Sequence, residues 1–204
     1  MPLSIAIELS DRDLEHFHAA QKQAQANAGG KSSEDVIAAA QNLLASAHKT
    51  PVPDFIAARL ARLDDLIAMV RDEAWGLPDA DRQRVLSALV YFADPHDVIP
   101  DSVPVLGYLD DAIMIELCVR ELQHEIQAYD DFCDFREREA RRRGQEVSQV
   151  GLADWLADRR QELLERMHDR RGREAGTGYG RSSGYGPLTS YVARSWRPST
   201  FSVR

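Results

Sequence analysis

The chain is short of cysteine and of unbroken apolar runs, and each shortage closes off a class of protein. Two cysteines among 204 residues make no disulfide framework. Cys118 and Cys133 fall within what reads as a single helix, where ~1.5 Å of rise per residue sets them ~22 Å apart, far beyond bridging distance. That usage predicts a reducing compartment, the cytoplasm. Nowhere do 18 apolar residues follow one another, so no conventional membrane span is expected. Residues 1–10 lack a basic start and a long apolar run, so no secretory leader is expected either. Glycine-rich phosphate loops, Cys-x-x-Cys and Gly-x-Ser-x-Gly are all missing.

What is present is charge and helical periodicity. Hydrophobic residues make up 44% of the chain, enough for a core, and charged residues 28%, with a formal net charge of −8. The charge is uneven: residues 1–50 carry a net −2, residues 51–135 −12, residues 136–175 +2 and residues 176–204 +4. The acidity belongs to the middle and the C-terminal third is arginine-rich.

The coarse reading is all-α, a multi-helix bundle around a buried helical hairpin at residues 78–143, with a disordered C-terminal tail. Residues 1–50 read as an N-terminal arm followed by polar helices. Leu3, Ile5, Ile7 and Leu9 alternate with polar or small residues as in a strand. Ser10 with Asp13, and Ser32 with Asp35, read as helix caps. Residues 51–145 form the expected helical core. Its first helix carries the seam Ile56, Leu60, Leu63, Ile67, Val70 and Ala74, and Gly76 and Pro78 separate it from the next. On that spacing Asp65 and Asp72 fall opposite the seam, on a solvated face. A long helix is predicted from Leu109 to Arg143, stopped by Gly144, with Ile115, Val119, Leu122, Ile126, Tyr129 and Cys133 along one stripe. Residues 146–171 supply a C-terminal amphipathic helix, and residues 172–204 a tail of glycine, serine, tyrosine and arginine.

Between the two core helices lies the stretch that carries most information, Tyr91-Phe92-Ala93-Asp94-Pro95-His96-Asp97-Val98-Ile99-Pro100-Asp101-Ser102-Val103-Pro104-Val105-Leu106-Gly107-Tyr108-Leu109-Asp110-Asp111. Three prolines in ten residues forbid a continuous helix there. The segment resembles the YkvA-like family, a bacterial domain of unknown function, at Pro95, Asp97, Ile99, Pro100, Asp101, Pro104, Gly107, Asp110 and Asp111. It departs from the family at His96, where an apolar residue is usual. The resemblance implies a compact helical hairpin and a bacterial origin. It implies no reaction. Some relatives look membrane-associated.

Two chemistries compete for these residues. Asp110 and Asp111 project toward apolar surfaces at a helix start, where free N–H groups and the positive end of the helix dipole stabilise carboxylates. Asp97 and Asp101 would cap turns in the proline-rich loop. On this reading the cluster is structural and no cofactor is needed. The alternative is a hard-cation site of Asp97, Asp101, Asp110 and Asp111 with His96 at its rim, suited to a divalent ion and to metal-dependent hydrolysis. A phosphohydrolase reading of His96-Asp97 would have to recruit His48 and His124. The functional expectation is a non-enzymatic cytoplasmic interaction protein, with a membrane-peripheral position as a variant. Its partner would be another protein, a second copy or a membrane surface, met through the apolar stripe of residues 149–171 or the arginine-rich tail. Nucleic acid is the less favoured partner, since acids are interspersed with the arginines up to Glu174.

Overall fold

The computed structural model describes residues 8–27, 30–94, 99, 103, 106–147, 150 and 154–176. Among them are seven α-helices and no strand: α1 (Asp11–Asn27), α2 (Ser33–Ala47), α3 (Asp54–Arg71), α4 (Asp79–Leu89), α5 (Leu109–Glu121), α6 (Gln123–Arg142) and α7 (Asp154–Gly176). A 3₁₀ turn, Val90–Ala93, continues α4. The chain is all-α, as its periodicity predicts. It divides into two compact units, one of residues 1–67 and 79–121, the other of residues 68–78 and 122–204.

In the first unit, local chemistry starts the helices where the caps were read. Ser10 and Asp13 bond reciprocally ahead of α1, and Ser32 and Asp35 close a full capping box ahead of α2. Ile56, Leu60, Leu63 and Ile67 of α3 are buried, so that seam holds. Helices α4 and α5 form the antiparallel hairpin. The Cys118 thiol donates to Ala88 O at 3.3 Å, and Arg84 donates to Glu121 O at 3.1 Å at the hairpin's far end. α2 packs on α4 and on the 3₁₀ turn, and α1 packs on that turn as well.

The second unit is built on α6 and α7, which pack along their lengths. α6 buries Glu125, Ile126, Ala128, Tyr129, Phe132, Arg136 and Ala140 on one face, and α7 buries Leu156, Leu163, Leu164 and Met167. Phe135 meets Trp155 with ring centroids 6.1 Å apart, and the Arg143 guanidinium lies 4.4 Å above the Trp155 ring. Gly144 ends α6 at φ +65, with Gly144 N–H donating to Arg141 O and Gln145 N–H to Ala140 O. That pair of bonds defines a Schellman stop.

Four expectations shift. The helix foreseen from Leu109 to Arg143 is two helices, because Leu122 leaves helical angles (φ −101, ψ 18). Arg84 there takes up one of the carbonyls a helix end leaves unpaired. The two cysteines therefore sit on different helices. α7 runs on to Gly176, so Gly172 and Arg173 are helical rather than tail. Asp72 is buried, not solvated. The arm at residues 1–7 and the tail beyond 176 lie outside the described residues.

Candidate functional site

The motif's polar centre is Asp110, at the second position of α5 and 1% exposed. Its Oδ2 accepts the Ile99 backbone N–H at 2.9 Å and the Tyr91 hydroxyl at 3.4 Å. One carboxylate thus ties the 3₁₀ turn, the proline-rich loop and the start of α5 together. The positive end of the α5 dipole favours its charge. No described residue donates to its Oδ1. Asp111 is buried at 4% exposure on the next position. Gly107 is buried too, and its N–H closes a turn on Val103 O at 2.9 Å, directly before α5. That turn leaves Val103 and Leu106 exposed, two of the four exposed large hydrophobic residues among those described.

The remaining motif positions, Pro95, His96, Asp97, Pro100, Asp101 and Pro104, lie outside the described residues. Among the described residues, no group of three or more His, Cys, Asp or Glu side chains is placed to hold a metal ion. His48 is exposed at the end of α2. His124 is engaged with Glu174 at 2.5 Å.

A second polar centre, which sequence reasoning missed, lies in the second unit. Asp72 follows the last residue of α3. Its Oδ1 accepts the N–H groups of Ala74 (3.0 Å) and Trp75 (3.2 Å), folding the chain back on itself. Arg136 lies 2.8 Å from Oδ2 and donates to Oδ1 at 3.0 Å, and the Tyr129 hydroxyl donates to Oδ2 at 3.0 Å. Trp75 packs over this centre, 5.0 Å from the Phe132 ring and 5.9 Å from that of Tyr129. Burial pulls the Arg136 guanidinium down, but Asp72 and Cys133 outweigh it and hold the group above its ordinary value. Burial pushes the Tyr129 phenol well up. The Cys133 thiol is driven up to about 11, mainly by burial and against the pull of Arg136. Cys118 on α5 is driven up to about 12 for the same first reason. Neither thiol has the lowered pKa of a nucleophile. Asp65 is half-buried beside Arg62 at 3.2 Å, and burial raises its carboxyl. The signal for the second centre was present in the sequence: Arg136 falls four residues from both Phe132 and Ala140, on the buried face of α6.

Residues 84–117 match a family model described as "Protein of unknown function (DUF1232)". The match spans the end of α4, the 3₁₀ turn, the loop and most of α5, the hairpin just described. It agrees with the YkvA-like resemblance of the motif. No curated protein and no solved structure matches the chain. Among the described residues, no helix is long and apolar enough to cross a membrane.

Proposed function

We propose that this protein is a non-enzymatic helical interaction protein of the cytoplasm, working through the loop between α4 and α5. One observation carries the reading. The motif's buried carboxylate is occupied by internal bonds to Ile99 and Tyr91, while the turn beside it presents Val103 and Leu106 outward. On this reading Val103 and Leu106 are the contact surface, held in place by the hairpin beneath them. Of the two contact surfaces expected from the sequence, the stripe of the last helix buries Leu156, Leu163, Leu164 and Met167 where it packs on α6, and the arginine-rich tail lies outside the described residues.

The test is a Val103→Asp/Leu106→Asp double substitution. The wild-type chain is expected to self-associate in sedimentation velocity or to co-sediment with neutral phosphatidylcholine vesicles. The variant is expected to do neither while melting at the same temperature. Identical behaviour of the two proteins in both assays overturns the proposal.

A second reading has one observation in its favour, the buried Asp110 Oδ1 to which no described residue donates. A divalent cation held by Asp97, Asp101, Asp110 and Asp111 would satisfy that oxygen and support a metal-dependent hydrolase. A saturable rise in melting temperature with Mg²⁺ or Ca²⁺, abolished by Asp111→Asn, would establish it. An unchanged melt at millimolar ion excludes it.

A further inference from the structure

Helix α1 meets the first unit differently from its neighbours. Of its 17 residues only Gln21 and Ala24 are fully buried, and one of those is an amide; Leu14, Phe17 and Ala20 on the same face are half-buried. The 15-residue α2 buries Val36, Ile37, Ala40, Leu44 and Ala47. α1 and the linker after it are instead tethered by polar side chains. Gln25 donates to Ser87 O at 3.2 Å, Asn27 donates to Asp94 at 3.3 Å, and Lys31 donates to Ala93 O. All three side chains are exposed, so water competes for each bond. A small hollow of about 70 Å³, open to solvent, lies between helix and 3₁₀ turn, lined by Ala20, Gln23, Ala24, Tyr91 and Asp94. A helix of this length that contributes so small an apolar face draws little stability from packing, which is where most helical stability in proteins originates.

We propose that α1 is a displaceable cover over the 3₁₀ turn of the motif hairpin, opening and closing while α2–α5 stay folded. When open, it uncovers the flank of Tyr91 and Asp94 and the carbonyls of Ser87 and Ala93 that its tethers occupy. Few buried apolar contacts combined with exposed polar tethers are the marks of a low-stability element, and such elements are the ones that move when a surface must be uncovered. The inference stands apart from the apolar-loop reading, because it concerns a different face of the hairpin.

Thiol labelling of the folded chain tests it. A cysteine at Ala24 (3% exposed) reports opening of α1, and a cysteine at Ala40 (0% exposed) reports opening of α2. The wild-type chain supplies the background from Cys118 and Cys133. Ala24→Cys is expected to label at least about tenfold faster than Ala40→Cys. Gln21→Leu, which adds an apolar contact at the buried position, should slow that labelling. Equal rates at the two sites overturn the proposal. Should either cysteine variant fail to fold, amide exchange on the wild-type chain decides instead. Faster exchange of α1 than of α2 supports the cover, and equal protection refutes it.

Discussion

At the scale of single residues, the buried carboxylates of Asp72 and Asp110 make different predictions. Asp72 is held by Arg136, the Tyr129 hydroxyl and two backbone N–H groups, so its partners bear unequal loads. Asp72→Ala strands the Arg136 guanidinium, whose side chain is 11% exposed, and should cost about 3–5 kcal/mol. Arg136→Met leaves the carboxylate three donors and should cost less, about 1–3 kcal/mol. Urea unfolding of the two variants should preserve that order, and a reversed order would show that the arginine is not the dependent partner. Asp110→Ala removes the acceptor for Ile99 N–H and the Tyr91 hydroxyl. It should destabilise the chain by about 1–3 kcal/mol, equally with and without Mg²⁺ in the melt.

The thiols set a pH dependence. Cys118 and Cys133 have folded pKa values raised to about 12 and about 11, against an unfolded value of about 8.5. Above pH ~8.5 the unfolded chain loses these protons before the folded chain does, so stability falls as pH rises through the window from ~8.5 to ~11–12. Below it the contribution is complete. The slope should be of order 1 kcal/mol per pH unit for each thiol. Denaturant midpoints measured from pH 7 to pH 10 should decline. A flat profile would mean that the thiols are not buried as described.

At the scale of elements, the caps and stops are local and can be tested locally. Gly144 sits at φ +65 with open space around its Cα, so Gly144→Ala meets no steric obstacle and only backbone strain. That strain should cost about 1 kcal/mol, measured by thermal unfolding, with α6 otherwise intact. Gly76 is more demanding. It combines φ +53 with an Arg160 guanidinium 3.2 Å from where a Cβ would stand. The break at Leu122 is of another kind. Glu121-Leu122-Gln123-His124-Glu125 contains no glycine or proline, and its residues are mostly ordinary helix formers. Arg84, 37 positions earlier, reaches the Glu121 carbonyl at that point.

At the scale of the whole molecule, the second unit is discontinuous in sequence: residues 68–78 complete what residues 122–176 begin. A fragment of residues 122–176 keeps α6 and α7 but loses Asp72 and Trp75. It should therefore show helical far-UV circular dichroism without a cooperative melt, because Arg136 would be buried unpaired and Phe132 left without its aromatic neighbour. A cooperative melt of that fragment would show that residues 68–78 are dispensable.

The sequence by itself determined whatever depends on neighbours within one or two turns. Periodicity of apolar residues placed α3 and its seam, Ser10–Asp13 and Ser32–Asp35 marked two helix starts, and Gly144 marked a stop. The three prolines of residues 95–104 marked the loop between the two hairpin helices. Such features are legible because the groups that satisfy one another lie three or four positions apart. The tertiary structure alone decided the rest. Asp72 and Arg136 are 64 positions apart, so helical spacing placed the aspartate on a solvated face when a distant guanidinium had made burial affordable. Asp110 finds its donors 11 and 19 positions away, and only the folded hairpin shows that its Oδ2 faces them. Charge burial is set by partners: helical spacing marked Arg136 as falling on an apolar face, but which distant carboxylate it would meet was decided by the fold alone.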